Sequence, residues 1–168
     1  YLISTSLKTY IDNIKQCNIE MEKTTILKTN SNLDCLIELG GLGGNSESIN
    51  LRHRYIKGGI LDATNCESGI KINEGAMGIL NDGIEIQSFN TYGIYVPKDS
   101  NNYSSDLSII SCYINGKGSE YNNYGIYFER PDNNLENLRL NALHTCIYAE
   151  AGGRAEKEIS RCRDHHDG

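Results

Sequence analysis

Three tyrosines hold the same place in one recurring phrase: Tyr95 in "YGIYV" at 92–96, Tyr127 in "YGIYF" at 124–128, and Tyr148 in "TCIYA" at 145–149. A tyrosine offers a flat apolar face with a hydroxyl at its edge, which suits the apolar face and hydroxyl rim of a sugar ring. Two carboxylates, Glu129 and Glu150, each follow one of these tyrosines by two residues. If the phrases stack as neighbouring strands, those carboxylates stand about 5 Å apart. That is near the roughly 5–5.5 Å separation of retaining glycosidases and short of the roughly 6.5–9.5 Å of inverting ones. The same residues therefore suggest two chemistries, saccharide contact by the tyrosines and acid–nucleophile catalysis by the glutamates. A plainer reading stands beside both, in which the tyrosines are a cross-strand ladder that stabilises a sheet and the glutamates are simply solvated.

The elements that must position these side chains follow from alignment. "LIEL" at 36–39, "GIKI" at 69–72, "GIYV" at 93–96, "GIYF" at 125–128 and "CIYA" at 146–149 put Ile37, Ile70, Ile94, Ile126 and Ile147 in one column. Leu39, Ile72, Val96, Phe128 and Ala149 form another, two positions on. Alternation of period two marks half-buried strands. The outward file between these columns is then Glu38, Lys71, Tyr95, Tyr127 and Tyr148, flanked by Asn73, Pro97, Glu129 and Glu150. Successive isoleucines lie 33, 24, 32 and 21 residues apart, a period that belongs to solenoids and arrays.

A second strand is expected upstream in each unit: "NIEM" at 18–21, "GGILDA" at 58–63, "GIEI" at 83–86, "LSII" at 107–110 and "LRL" at 138–140. Between the strands lie Asn, Gly, Ser and Asp, which tolerate left-handed backbone or cap their own turns. With 19 Asn and 17 Gly against 2 Pro, the chain can turn corners constantly while keeping nearly every N–H for a ladder. Short strands that coil and stack give parallel, in-register sheets, and several units are needed before any buries its own face.

The run "YIKGGILDATNCESGIKI" and the "GI" units after it resemble the right-handed parallel β-helix of the pectin lyase-like superfamily, over roughly residues 10–152. "GGILDA" is similar to the first unit of pectate-lyase-like domains in bacteriophage tailspikes, and "YLISTSL" at 1–7 to the strand that leads into such coils. The expected architecture is all-β: a lead-in strand or cap at 1–10, a β-helix of about five rungs at 11–152, and a charged tail or cap at 153–168. The resemblance implies a homotrimer and an extracellular or virion-associated setting. It implies no one activity, because a fold does not fix a function. The polygalacturonase pattern fails here: "NTY" at 90–92 lacks its Asp, and paired aspartates, Gly-His-Gly and Arg-Ile-Lys do not occur. Arg130 is the nearest candidate for a pectate-lyase base, without an acidic pair beside it.

Other candidates are weaker. Loops 97–106 and 115–124 carry Tyr103, Tyr121 and Tyr124 among Asn and Ser, and loops on a rigid scaffold are where binding usually sits. Lys71 sits in the outward file and is a candidate sugar contact. "GGLGGNSES" at 40–48 lacks the Lys-Ser/Thr of a phosphate cradle, Asp62 reads as a turn cap, and His144 reads as a corner residue. Cys162, His165 and His166 in the tail offer three ligands without a fourth, so neither metal nor cofactor is expected. The six cysteines are spaced like no metal site or small disulfide scaffold and read mostly as free, core-packing thiols.

A net charge of −6 without clustered Lys or Arg argues against nucleic acid, and no apolar run reaches the roughly 20 residues of a membrane span. Starting at Tyr1 rather than Met, the chain reads as a piece of a longer polypeptide. Three functions stay open: a carbohydrate-recognising segment of a phage tailspike or cell-surface protein, a polysaccharide hydrolase or lyase using Glu129 and Glu150, and a structural shaft.

Overall fold

A computed structural model describes residues 1–8, 18–39, 54–72, 78–98, 107–129, 133–150, 155–156 and 161–163. These residues form 19 short strands and no helix, so no helix among them is long and apolar enough to cross a membrane. Every strand pairing is parallel, and each strand bonds to those three places before and after it in the chain. The first sheet holds β1 (Leu2–Ile3), β4 (Ile26–Thr29), β7 (Ile60–Asp62), β10 (Glu85–Gln87), β13 (Tyr113–Asn115), β16 (Arg139–Asn141) and β19 (Arg161–Arg163). The second holds β2 (Leu7–Lys8), β5 (Leu33–Leu39), β8 (Cys66–Ile72), β11 (Tyr92–Val96), β14 (Tyr124–Phe128) and β17 (Thr145–Ala149). The third holds β3 (Ile19–Glu20), β6 (Arg54–Lys57), β9 (Gly78–Asn81), β12 (Leu107–Ile110), β15 (Asn133–Glu136) and β18 (Ala155–Glu156). The chain thus visits the three sheets in rotation, an arrangement compatible with a parallel β-helix.

Stacking in register explains why the same residue types recur. Leu7, Ile37, Ile70, Ile94, Ile126 and Ile147 pair in sequence along the second sheet, which is the isoleucine column expected from the sequence. Leu61, Ile86, Ile114 and Leu140 stack likewise in the first sheet, and Ile56, Leu80, Ile109 and Leu135 in the third. All three columns join one buried core, except for Leu7, which is exposed at the end of its sheet. At roughly 1.5–3 kcal/mol for each fully buried aliphatic side chain, these ladders are the main stabilising term.

The corner from the third sheet to the first is the tightest. Gly58, Asp82, Ser111 and Asn137 each follow the last residue of a third-sheet strand, and all have positive φ, at 66°, 57°, 53° and 50°. Only short polar side chains and glycine adopt this backbone readily. At Gly58 a side chain is excluded outright, since its Cβ would collide with the Met21 carbonyl oxygen.

Four expectations change. The upstream strands are not one family: 60–62, 85–87 and 139–141 belong to the first sheet, whereas 19–20 and 107–110 belong to the third. Between them lie strands that the sequence reading passed over, among them β4, β13 and β15, because each is only three or four residues long. The charged C-terminal stretch is not wholly apart from the sheets, since β18 pairs with β15 and β19 with β16. Finally, residues 1–8 do not merely lead in: β1 and β2 occupy the edge places of the first and second sheets. Next to them the core is left open as a cleft of about 540 Å³, lined by Ile3, Leu7, Ile19, Met21 and Leu27 among others.

Candidate functional site

The outward file of the second sheet forms as the alternation requires. Lys8 pairs with Glu38, Glu38 with Lys71, Lys71 with Tyr95, Tyr95 with Tyr127 and Tyr127 with Tyr148. Its first half is closed on itself by ion pairs, Lys8 to Glu38 at 2.9 Å and Lys71 to Asp34 at 2.5 Å. Burial alone would pull the Lys71 pKa down, but the hydrogen bond and charge of Asp34 outweigh it and leave it raised. Lys71 is therefore engaged with Asp34.

The second half is aromatic and wider than one file. Strict alternation would turn Tyr92 inward with Ile94 and Val96. Instead, two buried residues in succession, Gly93 and Ile94, interrupt the alternation, so Tyr92 and Tyr95 emerge on the same face. The same break at Gly125 and Ile126 brings out Tyr124 and Tyr127. Glycine is needed there, because a Cβ on Gly93 would stand 2.5 Å from the Gly125 carbonyl oxygen and 2.5 Å from Ile114 Cγ2. Tyr92 pairs with Tyr124 across the strands, giving a second aromatic column beside the first.

These five rings pack on one another. Tyr92 stacks on Tyr95 with centroids 4.6 Å apart at 15°, and Tyr127 stacks on Tyr148 at 4.6 Å and 21°. The two stacks meet edge to face, Tyr92 to Tyr127 at 5.1 Å and Tyr95 to Tyr127 at 6.0 Å, and Tyr124 joins edge-on to Tyr127 at 5.1 Å. Both geometries are those preferred by aromatic quadrupoles. Tyr148 remains 41% exposed, and the other four are half-buried.

Carboxylates border the rings. The Glu129 N–H donates to the Val96 carbonyl at 2.9 Å and the Glu150 N–H to the Phe128 carbonyl at 3.0 Å, so both glutamates continue the ladder just past the tyrosines. Glu129 Oε2 accepts the Lys98 N–H at 2.6 Å and the Tyr95 hydroxyl at 3.4 Å. Burial first, and then the Glu129 charge, push the Tyr95 hydroxyl up to about 12. Tyr92 is raised by burial and then by Glu67 and Glu129, and Tyr127 by burial and then by Tyr148, Glu129 and Glu150. Tyr92, Tyr95 and Tyr127 are thus neutral hydroxyl donors at any physiological pH.

The remaining candidates separate cleanly. Tyr124 belongs to the cluster rather than to a loop, as the first residue of β14. Tyr121 is half exposed on the neighbouring connection, and no ring contact joins it to the cluster among the described residues. Tyr103, Asn73, Arg130, His165, His166 and the glycine-rich 40–48 segment lie outside the described residues. Asp62 is a cap, accepting from the Thr64 hydroxyl at 2.6 Å and N–H at 3.3 Å. His144 holds a corner: its N–H donates to Asn123 Oδ1 at 2.8 Å, which accounts for the fully buried Asn123.

The cysteines divide. Cys35, Cys66 and Cys112 are free and buried, and desolvation pushes them to about 11, 11 and 12, leaving thiols without nucleophilic character. Cys146 is disulfide-bonded, an exception within the reading of the six as mostly free thiols. Among the described residues no group of three or more His, Cys, Asp or Glu is gathered as a metal site would need. No protein-family model, curated protein or solved structure matches the chain.

Proposed function

We propose that this chain is a section of a right-handed parallel β-helix whose second sheet presents a saccharide-binding face, as in a phage tailspike or cell-surface protein. The rotation of the chain through three parallel sheets supports the coil, and the near-universal right-handedness of parallel crossovers supports its hand. The observation that carries the binding role is the cluster of Tyr92, Tyr95, Tyr124, Tyr127 and Tyr148 on one outer face. A core needs nothing outside it, and the same sheet closes its outer file with ion pairs two strands earlier. Tyrosines held by mutual packing give large, amphipathic contact area at low conformational cost.

The reading is binding rather than cleavage. Glu129 already accepts two hydrogen bonds from the corner it caps, so its Oε2 is poorly placed to protonate a leaving group. A glycan array probed with the wild-type chain and with Tyr127→Ala tests the role, followed by reducing-end and unsaturated-product assays on each hit. Binding that disappears in Tyr127→Ala without product release supports recognition. Product release abolished by Glu150→Gln would favour the depolymerase instead, and silence throughout leaves a structural shaft.

A further inference from the structure

The charges around the tyrosines carry the argument one step further, resting on the binding role just proposed. Among the described residues, carboxylates stand against these rings: Glu129 Oε2 accepts the Tyr95 hydroxyl at 3.4 Å, Glu150 follows Tyr148 with its N–H on the Phe128 carbonyl beside Tyr127, and Glu67 acts on Tyr92. Among the described residues, the cations nearby are accounted for differently. Lys71, next in the file, is held by Asp34 at 2.5 Å, while Lys98 is exposed and reaches Glu129 through its backbone N–H. The whole chain carries a net charge of −6.

A polyuronate or sulfated glycan laid on these rings would bring its anions against three carboxylates, with like-charge repulsion in a partly desolvated contact. A protonated amino group would meet the opposite situation. It would find carboxylates at the border and the negative faces of tyrosine rings beneath, where cation–π attraction adds about 0.5–1 kcal/mol at exposed sites. We infer that the saccharide recognised by the tyrosine face carries free amino groups, as a glucosamine- or galactosamine-containing polymer does, and carries no carboxylates or sulfates.

The test is an array of amine-bearing, N-acetylated, neutral and uronate or sulfated oligosaccharides, with each hit rechecked on Tyr127→Ala. Amine-bearing hits are expected, weakened about two- to five-fold by Glu150→Gln, a loss typical of one exposed charge pair, and weakened further as salt rises. N-acetylating the amines of a hit should abolish most of its binding. Tyrosine-dependent hits among uronates, or among neutral sugars indifferent to salt and to Glu150→Gln, overturn this inference while leaving the binding role intact. An array without any tyrosine-dependent hit removes both.

Discussion

Along the outer face of the second sheet, two regions stand over the same isoleucine ladder and are made of different material. At the β2–β5–β8 end, Lys8, Glu38, Lys71 and Asp34 pair off as ions. At the β11–β14–β17 end, five tyrosines interlock and carboxylates border them. Beneath the two ends the buried side also differs. Leu36, fully buried, lies between the paired positions Cys35–Ser68 and Ile37–Ile70, and the equivalent places further along are Gly69, Gly93 and Gly125. In β11 and β14 tyrosine flanks the buried glycine on both sides and faces out at both places, whereas in β8, beside Gly69, Ser68 is buried and of these two places only Lys71 emerges. The comparison teaches that the core sets the spacing of the strands, while glycine at Gly93 and Gly125 leaves room for a second outward side chain that tyrosine then fills.

The largest effects are expected from exchanging what lies beneath. Gly93→Ala drives a Cβ into the Gly125 carbonyl, and a loss of about 3 kcal/mol is expected from such overpacking, read as a lower denaturant midpoint with the slope unchanged. Leu36→Ala at the other end leaves a cavity and should cost about 2–5 kcal/mol. If Gly93→Ala were tolerated within about 0.5 kcal/mol, the range of ordinary surface substitutions, the glycine column would not be what shapes the tyrosine face.

The next effect separates the two surfaces. Tyr127 contacts Tyr92, Tyr95, Tyr124 and Tyr148, so Tyr127→Ala should cost about 1.5–3 kcal/mol. Asp34→Asn breaks an exposed ion pair and should cost below about 1 kcal/mol, an amount that 1 M salt largely removes. Equal costs at both ends would erase the contrast between them.

Alkaline titration sharpens it further. Tyr95 sits at about 12 in the fold against an ordinary 10.0, so the folded chain keeps a proton that the unfolded chain releases above about pH 10. Its contribution to stability is whole below that pH and is lost as the pH rises through about 12. Tyr95→Phe should flatten this part of the stability profile, while the buried thiols Cys35, Cys66 and Cys112 continue to contribute to it. A profile unchanged by Tyr95→Phe would mean that the hydroxyl is neither buried nor held against Glu129.

Much of this was legible in the residues. The isoleucine column and the outward file follow from period two and recurrence alone, and every neighbouring pair in them is a ladder pair. Tyr92 was missed because period two, counted from Ile94, sends it inward; the signal was the glycine between "Y" and "IY" in both full copies of the phrase. The third sheet was legible only at 19–20 and 107–110, for a different reason. Its strands are short, and β9 and β15 read as "GILN" and "NNLE", sequences that resemble turns until a neighbour supplies the ladder. The ion pair of Lys71 is not legible from its column, because its partner, Asp34, lies on the preceding second-sheet strand, outside that column.

The claim that the aromatic end of the sheet is the working surface is most directly tested by glycan binding to wild type, Tyr127→Ala and Asp34→Asn in parallel. The account predicts a loss of about tenfold or more in Tyr127→Ala, as for a buried aromatic anchor, with Asp34→Asn unchanged within about twofold, as for an exposed ion pair. Binding that survives Tyr127→Ala, or that falls equally in Asp34→Asn, would contradict it.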